Sequence, residues 1–336
     1  MKPPSLLVTA SPHLKGPATT PTIMWNVVGA LIPMVAAAGY FFGIGALLVI
    51  GSATLGAVVT ERLLGPGGSL RDGSGMITGL LLGLTLPPGF ALWMAFVGGV
   101  SAIGIGKLIF GGLGQNIFNP ALVGRALLQA AFPVAITSWP PDKPAGFWEL
   151  ASGQMSLPLM MSTAGTDGVS GATPLGLSKF EGVTTPLPEL FFGGGIGGSS
   201  GETSALLITL CGLYLALRNF LNWRIPVSIF VSVAALSGVV QLLDSSAPSP
   251  AFMLFGGGLM LGAWFMATDM VTSPVTNQGC WIFGAGIGAL VVVIRLWGGL
   301  AEGVMYAILL MNALVPYINQ WTEPKVFGTR TREAAS

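Results

Sequence analysis

The chain has 336 residues, of which 52% are hydrophobic and only 8% charged, with a mean hydropathy of +0.77. A soluble domain carries about a quarter charged residues, so the composition excludes that class and indicates a membrane protein. The net charge of +1, with Lys and Arg scattered along the chain, offers nucleic acid no surface. Two cysteines without C-x-x-C spacing and a single histidine, His13, exclude a zinc site or iron–sulfur cluster held by this chain alone.

The first segment, 1–22, lacks the long apolar run and small-residue cleavage site of a signal peptide, so later spans must direct insertion. A helix crosses the hydrocarbon core with about 20 apolar residues, which predicts about ten spans. The first group lies near 23–41, 44–62, 74–88, 89–109 and 119–136. The second lies near 203–217, 222–243, 249–267, 279–297 and 302–320. The predicted organisation is therefore a cytoplasmic segment 1–22, a first five-helix repeat 23–136, an external loop 137–202, a second five-helix repeat 203–321, and a cytoplasmic tail 322–336.

The charges orient this array. With the N-terminus inside, Lys2, Lys15, Arg62, Arg71, Arg218, Arg224, Lys325, Arg330 and Arg332 all fall on the cytoplasmic side, where positive loops are retained. The segment 137–202 then lies outside, with Lys143 and Lys179 against Asp142, Glu149, Asp167, Glu181, Glu189 and Glu202. Arg295, at the outer end of the ninth span, fits this pattern poorly and needs a partner, for which Glu302 is nearby.

The halves resemble each other. Pro87 to Gly111 and Pro274 to Gly298 are equally long, and each carries one basic residue, Lys107 or Arg295, just before a double glycine. An odd number of spans per half makes the repeat inverted, the plan of transporter-like folds with a midplane site. The third and eighth spans read as interrupted at "GLTLPPG" and "ATDMVTSPVTNQG", and broken helices are tolerated only where they are buried in protein or line a cavity. The fold class expected is thus an all-α polytopic membrane protein.

Polar residues inside spans are costly and mark function. In "GLGQNIFNPALVGRALLQ" these are Gln115, Asn116, Asn119 and Arg125; in the second half they are Asp269, Thr272, Asn277 and Asn312. Asn119 before Pro120 suits a helix N-cap. Arg125 lies inside an apolar helix and requires an anion or carbonyl partner, such as a ligand or Asp269. Asn116, Asn119, Arg125, Asp269 and Thr272 are expected around a flavin or ion pathway. No Ser-His-Asp set, Walker loop or dinucleotide fingerprint is present, so no catalytic residue and no metal ligand are assigned.

The loop contains "DGVSGATPL". Asp167-Gly168 reads as a turn, Ser170, Gly171 and Ala172 as a low-bulk backbone, and Thr173 as a hydroxyl before Pro174. S-G-A-T in an external loop between five-helix halves resembles the covalent FMN site of the membrane subunits of Rnf and Na+-translocating NADH:quinone reductase complexes. "GMITGLLLGLTLPP", "GKLIFGGLGQNIFNPALVGRALL", "FMATDMVTSPVT" and "EGVMYAILLMNALVPYIN" are similar to the RnfD/NqrB family nearly end to end, and the "ASPH" start and "EPKVFG" tail resemble RnfD.

The resemblance implies FMN joined to Thr173 as a phosphothreonyl ester by a separate flavin transferase. Ser170, Gly171 and Ala172 form the seat, and Asp167 is a recognition element. It implies a second, noncovalent flavin, riboflavin, near the glycine-rich breaks. It further implies a subunit of a multisubunit complex in a bacterial inner membrane, coupling ferredoxin and NAD redox chemistry to Na+ or H+ movement, and not catalytic alone. The rival readings are a quinone-reducing NqrB-type subunit and a urea-channel-like transporter, which shares the inverted five-plus-five plan but has no use for a covalent flavin.

Overall fold

The computed structural model describes residues 19–65, 72–139, 146–151, 153–158, 173–194, 197–202 and 204–324. Among these residues every regular element is helical.

The first element, α1 (Thr20–Leu64), is two helical segments joined at Gly43, whose φ of 74° and ψ of −164° are non-helical and readily adopted only by glycine, and the joint falls between the predicted spans 23–41 and 44–62. It is followed by α2 (Ser74–Leu84) and α3 (Leu92–Ile103), which continues into a π-helical turn, Gly104–Leu108. Next come α4 (Pro120–Ala131) and α5 (Pro133–Thr137). Short elements follow: α6 (Pro174–Gly176), running into a π turn at Leu177–Glu181, and α7 (Leu187–Phe192). The later group comprises α8 (Ala205–Leu217), α9 (Arg224–Leu243), α10 (Pro250–Phe255), α11 (Leu259–Leu261, extended by the π turn Gly262–Met266), α12 (Asn277–Trp297) and α13 (Val304–Trp321).

Thr20–Leu64, Arg224–Leu243 and Asn277–Trp297 are long and apolar enough to cross a membrane, and Ser74–Leu84, Leu92–Leu108 and Ala205–Leu217 are shorter apolar helices. Tyr40, Leu242 and Val275 are among many large apolar side chains that stay exposed, as on a surface that meets lipid.

Two breaks position the site. α2 stops at Leu84, and Thr85–Phe90 continue as turns before α3, in agreement with the interruption expected at "GLTLPPG". The later break differs from expectation in adding Gly256–Gly258, which divides α10 from α11 inside the run 249–267. Gly257 has a φ of 67°, and three successive glycines with no side chain to pack cannot hold a helix there.

Small residues let the helices close up. A methyl at Gly99 on α3 would strike the Ala53 carbonyl of α1, and one at Gly284 on α12 would lie 2.7 Å from the Ile225 carbonyl of α9. α1 packs chiefly on α2 and α3, and α9 on α12, while α1–α8 and α4–α13 contacts join the earlier helices to the later ones.

Candidate functional site

Two cavities flank the junction of α4, α11 and α13. The first is lined by Thr173 and Leu175 from the loop side, Arg125 and Gln129 of α4, Ser199 and Glu202 before α8, Gly257 and Gly258 of the broken helix, and Glu302 before α13. Its apolar walls include Leu122, Ile136, Leu261, Met266, Val304 and Met305. The loop threonine thus stands in the same cavity as the membrane arginine, from which it is 48 positions distant in sequence.

Local structure holds Thr173 there. It is the N-cap of the turn Pro174–Gly176, with its Oγ1 accepting from the Gly176 N–H at 3.1 Å. Six residues on, the Lys179 ammonium donates to the carbonyls of Ile294, Gly298 and Leu300 at 3.2, 2.5 and 2.9 Å, pinning the segment to the C-terminal end of α12. A cation at a helix C-terminus also meets the negative end of its dipole. Burial pushes the Lys179 ammonium below the usual lysine range. Asp167, Ser170, Gly171 and Ala172 lie outside the described residues.

Arg125 donates through Nη2 to Glu302 Oε2 at 3.2 Å, an ion pair with side-chain exposures of 12% and 23%. This corrects the expected pairing with Asp269, which lies in the other cavity and accepts from the Val271 N–H and the Thr272 hydroxyl, both at 3.3 Å. Glu302, the nearby candidate partner for Arg295, interacts with it through charge but makes no hydrogen bond to it. Arg295, 3% exposed, instead donates to the carbonyls of Met253 and Gly256 at 2.5 and 2.9 Å, satisfying the end of α10 exposed by the glycine break. Glu302 Oε1 accepts from the Gly258 N–H at 2.5 Å. Among the described residues, Glu202 Oε1 and the Ser199 hydroxyl are buried in the same place with no partner in hydrogen-bond geometry. In the loop before α8, burial and then the charge of Glu302 push the Glu202 carboxyl up to about 7, with the nearby Ser199 and Arg125 offsetting this only in part.

The second cavity is lined by Ile23 and Val27 of α1, Ser74, Thr78 and Leu81 of α2, Lys107, Asn116, Asn119, Trp264, Phe265 and Asp269. Asn119 caps α4 as expected, with Oδ1 accepting from the N–H groups of Ala121 and Leu122 at 3.0 and 3.4 Å. The same side chain also donates to the Met266 carbonyl at 3.1 Å, so it ties α4 to α11. Asn312, 1% exposed, joins this knot: with its amide nitrogen toward the Thr272 carbonyl, it donates there and accepts from the Asn119 N–H, both at 3.2 Å. Asn116 donates to the Phe118 carbonyl at 3.2 Å, and the Trp264 indole N–H is buried without a partner.

The five expected pathway residues therefore divide. Arg125 belongs with Thr173; Asn116, Asn119 and Asp269 line the other cavity, and Thr272 stands behind Asp269.

Sequence reasoning missed a buried triad at the wall of the second cavity, which Lys107 and Ser74 line and Glu61 backs. Lys107, 2% exposed, pairs with Glu61 and donates to the Ser74 hydroxyl at 2.7 Å. Its signal was Lys107 inside an apolar run, but Glu61, beside Arg62, reads as an end-of-span charge. Glu202 and Ser199 had no signal beyond their place in a polar loop.

The sequence matches the family described as NQR2, RnfD, RnfE over residues 7–328. The chain belongs to that family. Among similar proteins is the D subunit of the proton-translocating ferredoxin:NAD(+) oxidoreductase complex of Clostridium ljungdahlii, 42% identical over 341 residues and covering 96% of each chain. The D subunit of the Na(+)-translocating ferredoxin:NAD(+) oxidoreductase complex of Acetobacterium woodii is 40% identical over 332 residues, again with 96% of each chain covered. The D subunit of the ion-translocating oxidoreductase complex of Stutzerimonas stutzeri is 43% identical over 331 residues, covering 92% of each. Membership agrees with the expected resemblance and weighs against the urea-channel-like reading.

Proposed function

We propose that the chain is the D subunit of an Rnf-type complex, a flavin-bearing membrane protein through which electrons pass between ferredoxin and NAD as Na+ or H+ is moved. The observation that carries the reading is Thr173 in the same cavity as Arg125, behind apolar walls. These residues suit a phosphate-linked flavin. The Thr173 hydroxyl supplies the ester oxygen, Arg125 supplies a cation toward the group, with its Nε unpaired, and Leu122, Ile136, Leu175 and Met305 exclude water from a planar ring. FMN bound there would supply a one-electron relay. The protein's part is to hold the group, set the local charge and limit solvent access.

The second cavity suits the noncovalent flavin, riboflavin. Its walls are largely apolar, and Asn116, Asp269 and the unpartnered Trp264 N–H are the kind of converging polar groups that orient a ring edge. Asn119 and Asn312 would then stand between two flavins. Ten spans in two inverted repeats, termini in the cytoplasm of a bacterium, the loop 137–202 outside, and maturation by a flavin transferase complete the proposal. The positive-inside distribution and the helix breaks in each half support it.

The test is co-expression with an active flavin transferase, followed by denaturing electrophoresis and flavin fluorescence. The wild-type band fluoresces, Thr173→Ser, which keeps a hydroxyl, is the folding control, and Thr173→Ala loses the signal completely. A dark wild-type band, with a fluorescent control substrate of the same transferase, overturns the covalent assignment.

A further inference from the structure

The Thr173 cavity holds two carboxylates, Glu202 and Glu302, and among the described residues only Glu302 is ion-paired. A methyl added at Gly258 would lie 2.5 Å from Glu302 Oε1 and 3.2 Å from Glu202 Oε1, so both acids converge on that glycine. Glu302 is satisfied by Arg125 on one oxygen and by the Gly258 N–H on the other. Glu202 receives no ion pair among the described residues, and its Oε1 has no donor. Beside it the Ser199 hydroxyl, on a residue 1% exposed, is also unpartnered and lines the cavity.

The charged groups facing Glu202 are Glu302 before α13, Arg125 on α4 and Arg295 on α12, and Arg295 has its terminal nitrogens committed to the Met253 and Gly256 carbonyls. A carboxylate with one oxygen buried and unpartnered, next to another carboxylate and helped only by the neighbouring Ser199, is costly while ionised and is relieved by a proton.

We propose that Glu202 is the proton-binding group of the Thr173 cavity, taking up one proton as one negative charge enters. With both glutamates ionised, the two arginines balance them; with Glu202 protonated, the cluster carries one positive charge that compensates an added electron. The step is electroneutral. The electron comes from the reduced ferredoxin that the named relatives use, an O–H bond forms at Glu202 Oε1, and a solvent water that gives up the proton is left as hydroxide. The Ser199 hydroxyl then has a neighbour able to donate to it or accept from it. The redox coupling, though not the proton site itself, rests on the reading of Thr173 as a flavin tether.

Infrared difference spectroscopy on the intact complex tests both parts. Acidification of wild type through neutral pH brings up a carboxylic-acid carbonyl band that Glu202→Gln lacks and Glu202→Asp retains at a shifted frequency. Thr173→Ala keeps this band, so loss of the flavin and loss of the proton site are read separately. Reduction with dithionite makes the band grow in wild type and leaves it unchanged in Thr173→Ala. Identical pH-difference spectra for wild type and Glu202→Gln overturn the proton site. A band that titrates yet ignores reduction, in protein with verified covalent flavin, overturns the coupling.

Discussion

Each cavity adjoins an ion pair and also holds a carboxylate outside it, and the two pairs differ in how closed they are. At the wall of the Asp269 cavity, Lys107 pairs with Glu61 behind it, at side-chain exposures of 2% and 1%, and the pair is completed by Ser74. In the Thr173 cavity, Arg125 and Glu302 are paired at exposures of 12% and 23%, and a second carboxylate, Glu202, is left over. A closed, fully bonded pair braces helices, here α1, α2 and the π turn after α3, and has little reason to change state. A more open pair beside an unsatisfied acid is responsive to whatever charge enters. The contrast is between the pairs: the closed one braces the wall of one cavity, the open one stands inside the other beside Glu202, whereas Asp269 is held by the Val271 N–H and the Thr272 hydroxyl.

The comparison is broken most severely at the closed pair. Removing one partner of a buried ion pair leaves an uncompensated charge and costs about 3–5 kcal/mol. Lys107→Met is therefore expected to deplete folded protein in detergent, measured as the monodisperse fraction by size-exclusion chromatography, whereas Lys107→Met combined with Glu61→Leu recovers much of it. A single variant as well behaved as wild type would remove the bracing role.

A smaller effect is expected at Arg125. If Thr173 carries a flavin as proposed, Arg125→Leu keeps the fold and the Thr173 fluorescence, but it deletes a charged hydrogen bond of about 1.5–3 kcal/mol and a cation lining the same cavity. Potentiometric titration should then give a lower midpoint potential for the proposed covalent flavin. An unchanged potential would separate Arg125 from the electron relay.

The smallest effect sharpens the boundary between the cavities. Asn119→Ala removes the α4 cap, at about 1 kcal/mol, together with the tie to the Met266 carbonyl. Modest thermal destabilisation is expected, with covalent flavin content retained. Asn119→Asp, which keeps the cap but not the amide donor, divides the two contributions.

Much of the helical plan was readable along the chain because apolar runs and their breakers are local. α8, α9, α12 and α13 begin and end within about two residues of the expected segments, as helix ends usually do. Asn119-Pro120 announced a cap because the capping oxygen and the N–H groups it accepts from are three residues apart at most. The break at Gly256–Gly258 was less visible, since glycine is common in membrane helices and does not by itself end one.

Composition determined that this chain meets lipid, the small-residue motif singled out Thr173, and the motifs along the chain pointed to the family before any fold was known. Only the tertiary structure decided the partners. Arg125 and Glu302 are 177 positions apart and Lys107 and Glu61 are 46 apart. In a chain with so few charges, each buried one takes whichever counter-charge packing brings within reach, and proximity of that kind is a property of helix packing, which no local stretch of sequence records.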